Sequence, residues 1–553
     1  MARQKHRKEV KKDVKKKVKV KPSSAKKPTG NNRPRGKVLP STYPPGIEAK
    51  RRLLQQLQQL QSYLENEKME EALDISDEIL EEHPNDLNAL TFGAYAAQSL
   101  GDFTTSLKRA RRSLELKPQQ PLLLSISFTS NYNLGYNTHA RQNLRELSNM
   151  KVDNSELFNQ SHKELLDSLE NNLLEQAEKA GMEPLQYEEA LLAVEDSQLA
   201  LLENEPEEAI ELGLKAVSVA PELEVTLNSL VLLLTQAGRG AEAHEYAGRA
   251  YRLYPQSFQT VSTWMFLLGL ARQREEALAL RPALLETFQS QLMQRDEETQ
   301  QTLYNLLART LGVLQDDTTI YQVFKERVEK QPEQITIQDY RFLAAACWNL
   351  GKAEEARQAW ERVTALSARS EDEEVEAPDA AENTRIETDL AIQAEIARPK
   401  PPEAAPYRVP YLDFNELIPS FARSRLIVFN DEDYNLDQAK MQAGYAELAP
   451  YYPVAEALIS TMVLETAIFT ESLAKVMLVI DAPELLAALK DFALGVYGPA
   501  ANRAAAVRTL LSTGNLLEEN QQTIRFWSED SAAWEERTPE SFQENSPESG
   551  KEA

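Results

Sequence analysis

The chain has 553 residues, of which 42% are apolar, a net charge of −25 and a single cysteine, Cys347. That much apolar material supports folded cores, and one cysteine excludes an intrachain disulfide. Charge is unevenly placed: residues 1–37 hold sixteen Lys or Arg against Glu9 and Asp13, a balance of +14 that leaves −39 on the remainder.

A run of like charges with little apolar surface predicts a solvated, disordered basic tail over residues 1–48. No aromatic residue stands between Met1 and Leu39 to stack on bases. Residues 1–37 therefore suit phosphate contact with a nucleic acid, a ribosome or another polyanion rather than the reading of single-stranded sequence.

From residue 49 the pattern becomes helical. Tyr63 falls on a first helix, and Asn66–Glu67 makes a turn. Ala72, Ser76 and Ile79, spaced by four and three, share a face of a second helix that Pro84 ends. The next window, Leu87 to Gln120, repeats this. Leu90, Gly93, Ala94 and Ala97 lie on its first helix, Gly101–Asp102–Phe103 at the turn, and Ser106, Ala110 and Ser113 on its second helix, closed by Pro118. Small residues at these positions let two helices approach closely. Pro84 and Pro118 are 34 residues apart, as are Pro221 and Pro255 further on. Ala209, Gly213 and Ala216 precede Pro221, and a full unit from Leu227 through Leu230, Val231, Leu234, Gly238, Ala243, Ala247 and Ala250 precedes Pro255. A third cluster runs from Trp348 through Asn349-Leu350-Gly351-Lys352 to Ala356, then Trp360 and Val363. The pattern weakens over 119–187 and over 258–302, where Pro282 interrupts the expected second helix.

These windows resemble the tetratricopeptide repeat, a 34-residue helix–turn–helix, over roughly residues 50–366. The resemblance implies an all-α fold: an α-solenoid of such repeats over 49–160 and 161–366, with a C-terminal helical module. It also implies a non-enzymatic scaffold or adaptor whose first helices line a concave groove for a peptide or protein segment. Carried onto the clearest windows, groove positions are Asn88, Thr91, Tyr95 and Gln98, then Asn228, Leu232, Thr235 and Gln236, followed by Ser262 and Phe266. The paired Lys and Asn with which some family members hold a terminal carboxylate is incomplete, because the Lys is missing. The residues present suit a neutral or amphipathic peptide.

Residues 367–408, with Glu371-Asp372-Glu373-Glu374 at one end and Pro399-Lys400-Pro401-Pro402 near the other, read as an acidic, proline-stiffened linker. Helices return over 409–527, off the 34-residue register, with expected spans 436–448, 454–480, 483–494 and 499–512. This module would cap the stack or self-associate. Arg425–Phe429 is the one strand-like run, and 528–553 reads as a loose acidic tail.

No constellation for catalysis, cofactor or metal survives inspection. The glycine-rich run at 30–38 has one residue too many between its glycines and Val38 in place of the hydroxyl of a phosphate loop. Asp431, Asp433, Asn435 and Asp437 alternate as in a calcium loop, but Leu436 replaces the turn glycine and Gln442 the bidentate Glu. None of the five histidines sits at metal-ligand spacing from another ligand. The apolar run 454–480 is broken by Glu456, Glu465, Glu471 and Lys475, so no membrane span is expected, and the expected location is the cytoplasm.

Overall fold

Helix starts recur at the interval that the prolines announce. The computed structural model describes residues 45–150, 158–293, 295–372, 380–430, 435–517 and 521–543. They divide into two compact units at Asn204/Glu205, with 218–220 counted in the first, rather than at the expected 160/161. The basic tail and the glycine-rich run within it lie outside the described residues.

The first unit is built from α1 (Pro45–Glu65), α2 (Met69–Glu82), α3 (Leu87–Leu100), α4 (Phe103–Leu116), α5 (Pro121–Leu134), α6 (Asn137–Asn149), α7 (Gln160–Lys179) and α8 (Pro184–Leu202). The second helices start at 69, 103 and 137, each 34 residues after the last, and the first helices at 87 and 121. Local chemistry sets these limits. The Asp86 carboxylate accepts from the Asn88 and Ala89 amides and so starts α3. Gly101, at φ 86°, adopts the left-handed conformation that reverses the chain. Asp102 then caps α4 through the Thr105 amide. Each such cap is worth about 1 kcal/mol. Inside the hairpin, Gly93 is required by space: a Cβ there would lie 2.6 Å from Ser76 Oγ and collide with the buried Arg109 guanidinium. Arg109 donates to Ser76 Oγ (2.7 Å) and pairs with Asp77. The weakly patterned stretch after Gln119 keeps the same plan: Ala140 stands in the register of Ala72 and Ser106, and Leu124, Phe128, Leu144 and Leu166 pack around it.

The second unit begins with α9 (Pro206–Val219), α10 (Glu224–Gln236), α11 (Gly240–Leu253), α12 (Phe258–Leu270), α13 (Arg274–Ala279), α14 (Arg281–Leu292), α15 (Glu297–Val313), α16 (Asp317–Lys330), α17 (Ile337–Asn349) and α18 (Ala353–Asp372). Here the starts at 206, 240 and 274, and at 224 and 258, again keep the 34-residue interval. At Pro282 the expected second helix is two: it breaks at Leu280 and restarts with proline in its first turn. A series of rings runs through this unit, Phe258–Phe288–Tyr304–Phe324–Phe342, with centroids 5.5, 5.1, 6.0 and 5.3 Å apart. Aromatic packing thus holds the stretch where the repeat wording fades. Arg327 is buried with Asp339 at 3.1 Å and lies 3.7 Å over the Tyr304 ring. Cys347 is a buried core residue, and burial pushes its thiol up to about 11.

Beyond the repeats the structure departs from the sequence reading. The expected linker contains α19 (Ala380–Ala397). Its acidic residues are not all solvated: Asp389 accepts from Arg341 Nε (2.7 Å), and Ile392 and Glu395 are buried. The single helix expected over 454–480 is two, α23 (Val454–Leu464) and α24 (Ala467–Ile480), because Thr466 caps the second through the Phe469 amide. After the short α20 (Phe414–Leu417) and α21 (Ser420–Arg423), they pack with α22 (Gln438–Leu448), α25 (Pro483–Leu494) and α26 (Ala500–Ser512). The strand-like run Arg425–Phe429 yields one bridge, Phe429 to Leu436. The two-stranded antiparallel sheet forms instead from β1 (Ile524–Ser528) and β2 (Ala533–Arg537). Residues 528–543 of the expected loose tail are therefore ordered into a hairpin and a short turn that buries Phe542.

Candidate functional site

The face presented by the first helices is built by register. In the first unit, Asn88, Thr91, Tyr95 and Gln98 are spaced by three, four and three along α3 and so share one face. Asn88 is exposed and the other three are half-buried. Thr91 Oγ1 donates to Leu87 O (2.6 Å) and lies 3.4 Å from Ser113 Oγ. The Tyr95 ring packs on the core clusters around Ile75 and Ala110, bridging neighbouring hairpins. A shift of 34 residues carries the same face to Leu122, Ser125, Thr129 and Tyr132 on α5, and back to Leu54 and Gln61 on α1. Leu54 is 60% exposed and Leu122 40%. The sequence reading did not name these residues, although the interval itself points to them.

On α3 and α5 this face is electrostatically blank, while α1 adds the exposed Arg51 three residues before Leu54. Neither α3 nor α5 carries a charged residue, whereas α4, on the other side of the hairpin, carries Lys108, Arg109, Arg111 and Arg112. The ionisable cluster of this unit lies on α6 and α8. Its centre is the largely buried His139, with Nδ1 2.7 Å from Glu195 and Nε2 3.2 Å from Asp196. Glu195 also accepts from the Thr138 and His139 amides, both at 2.8 Å.

The second unit treats its corresponding positions differently. Asn228 donates to Thr260 Oγ1 (3.0 Å), so it holds α10 to α12. Ser262 is fully buried, its hydroxyl donating to Gln259 O (3.0 Å), and thus packs between helices instead of lining a groove. Leu232 stays half exposed and Gln236 is half-buried. The chain itself covers the rest. The Thr235 carbonyl accepts from Tyr452 Oη (2.7 Å), and the Phe266 ring lies under Arg309, whose Nε is 3.2 Å from Glu416. These contacts belong to a strap that follows α19. Trp348 Nε1 donates to Tyr407 O (2.7 Å), Asn349 exchanges two hydrogen bonds with Val409, and Tyr411 Oη donates to Asp317 (2.7 Å). Further along, Ala422 abuts Gly238 and the Tyr451 ring lies 5.1 Å from His244. The strap thus visits the hairpin turns that follow α17, α15 and α10, in the reverse of their chain order. Nothing in its proline-rich, acidic sequence announced this, since the partners stand dozens of residues upstream.

Helical hairpins at a sustained 34-residue interval, closed by small residues at their crossings, decide the architecture. The repeats are of the tetratricopeptide type. No family model matches the chain, and no curated protein matches it. Solved structures that resemble it include yeast Tom70, at 16% identity over 84% of this chain and 96% of that one, with a TM-score of 0.27. The tetratricopeptide domain of P58(IPK) matches at 13% identity over 62% and 98%, with a TM-score of 0.22. The TPR2AB domain of yeast Sti1, solved in complex with pHSP90, matches at 13% over 47% and 99%, with a TM-score of 0.20. At these scores the likeness adds no weight to the repeat assignment, which rests on the tetratricopeptide hairpins themselves. Among the described residues no group of His, Cys, Asp and Glu could hold a metal, and no helix is long and apolar enough to cross a membrane.

Proposed function

We propose that this protein is a non-catalytic scaffold whose first unit holds a neutral or amphipathic segment of a partner protein on the face formed by Asn88, Thr91, Tyr95 and Gln98. The observation that carries the reading is the absence of charge from α3 and α5, beside exposed Leu54 and Leu122. Such a face rewards apolar side chains and amide hydrogen bonds, and α3 and α5 give a terminal carboxylate no cation. In the second unit the corresponding positions are partly taken by the chain's own strap and internal hydrogen bonds, so the first unit is the stronger candidate. The test is quantitative recovery of partners by the full chain and by an Asn88→Ala/Gln98→Ala variant. At least one partner should fall about fivefold, the effect of losing roughly 1 kcal/mol of hydrogen bonding. Equal recovery of every partner would rule the face out.

A second surface follows from the +14 balance of residues 1–37, which suits a polyanion such as RNA. Deleting these residues should abolish RNA binding, and the affinity of the intact chain should fall steeply as salt is raised. RNA affinity that survives the deletion would remove this reading.

A further inference from the structure

The strap shows how this chain captures an extended, proline-rich segment. Residues 399–410 contain Pro399, Pro401, Pro402, Pro406 and Pro410. A proline has no N–H, and an extended run of them leaves its carbonyls without partners within the segment. Here Pro401 O accepts from the Ala404 amide in a turn, and indole and phenol donors take up three other carbonyls. Trp527 Nε1 donates to Pro399 O (3.1 Å), Trp348 Nε1 to Tyr407 O (2.7 Å) and Tyr497 Oη to Ala405 O (2.8 Å).

Beside the strap lies a cleft of about 560 Å³, between the α17/α18 hairpin and the end of α19. Trp348, Ala353, Ala356, Trp360, Gln393 and Ile396 line it. Trp348 is shared: its N–H holds the strap while its ring forms part of the cleft wall. Among the described residues, Trp360 and Trp534 are the tryptophans with a buried Nε1 and no acceptor, and Trp360 lines this cleft. Of the charged residues in the lining, Arg357 pairs with Glu361, so the lining itself carries no net charge.

We infer that this cleft binds an extended, uncharged, proline-bearing peptide segment of a partner. An apolar side chain or proline ring sits between Trp348 and Trp360, and a main-chain carbonyl accepts from Trp360 Nε1. The cleft has the size of a small-ligand site, its walls are mostly apolar and aromatic, and the unpartnered Trp360 Nε1 fits the group that proline leaves free. The site continues an interface that the chain already makes with its own proline-rich segment. It is independent of the first-helix face proposed above, so neither stands or falls with the other.

The probe is a capped, uncharged hexapeptide of two proline–proline–leucine units, titrated calorimetrically into the full chain. A capped glycine–serine hexapeptide serves as control. Saturable binding of the proline peptide alone is expected, weakened at least fivefold in Trp360→Phe, which keeps the ring and removes the N–H. Gln393→Trp, which fills the cleft from α19, should abolish binding, and it gives the reading if Trp360→Phe alters the circular dichroism melt. Absence of saturable binding, equal binding of the control peptide, or unchanged affinity in these variants would overturn the inference.

Discussion

Replacing Arg503 by methionine is expected to cost the C-terminal module about 3–5 kcal/mol, the range for breaking a buried charged network from one side. Arg503 is fully buried on α26. Its guanidinium donates to the carbonyls of Gly498 (3.2 Å), Gly495 (3.0 Å) and Trp527 (3.0 Å) and to Glu529 (3.1 Å), and it lies 4.7 Å over the Phe526 ring. One side chain therefore ties the α25–α26 turn to the end of β1. Methionine would fill much of the volume but leave three main-chain carbonyls without a donor. Glu529 would keep Arg398 as its partner. Burial lowers the Arg503 pKa, and Glu529 opposes that shift, so the charge is retained at the cost of desolvation. Hydrogen exchange of α26 and β1 in the full chain measures the effect. Protection should fall by two orders of magnitude or more in Arg503→Met and less in Arg503→Lys, which keeps the charge but not the planar fork. Unchanged protection in the methionine variant would show that the network is redundant.

The first unit should lose stability as the pH rises from about 6.5 to about 9. Burial by itself disfavours protonation of His139, but hydrogen bonds and charge from Asp196 and Glu195 outweigh it and raise its pKa to about 9. The unfolded chain releases this proton near 6.5. The folded state therefore binds the extra proton between those values. The associated stabilisation is complete below pH 6.5 and is lost as the pH climbs through 9. Its size is on the order of 3–4 kcal/mol, from about 1.4 kcal/mol for each pH unit of displacement. Asp196, also partly paired with Arg111 at 3.4 Å, is held low by His139 and Arg111 against the opposing effect of burial. Hydrogen exchange of residues 137–149, corrected for intrinsic base catalysis, should show protection falling across that window. His139→Gln should flatten the dependence and lower stability at pH 6.5. A flat profile in the wild-type chain would mean that the cluster does not share this proton.

The repeats were legible because their boundaries are chemical. Pro84, Pro118 and Pro255 follow helix ends, Gly101 takes a conformation that other residues resist, and Asp86 and Asp102 cap the helices that follow. Such signals act within a few residues and survive as pattern. The face they frame was legible in α3 but less so in α10 and α12. There Asn228 and Ser262 stand in register yet turn toward neighbouring helices, a choice made by Thr260 and by the packing of α15. What the chain does beyond Ala365 was hidden for the opposite reason. The acidic, proline-rich wording of 367–408 matches a linker by composition. Over 380–408 the chain is held by Arg341 and Trp348, both supplied by the stack. Likewise, Ile524–Ser528 is too short to register as a strand until its partner, Ala533–Arg537, is paired with it.

The strap also changes what kind of polymer the second unit is. A stack of repeats is ordinarily quasi-one-dimensional, each hairpin touching only its neighbours, so that an end frays without consulting the middle. Here Tyr452 reaches back 217 residues to Thr235, Tyr411 reaches 94 to Asp317 and Val409 reaches 60 to Asn349. These long loops must close before the strap contributes anything, which raises contact order and slows the last stage of folding. Once closed, they make the opening of any one hairpin turn cost contacts with a distant part of the chain. A modular array becomes a single cooperative body, and its C-terminal segment is the clasp that makes it so.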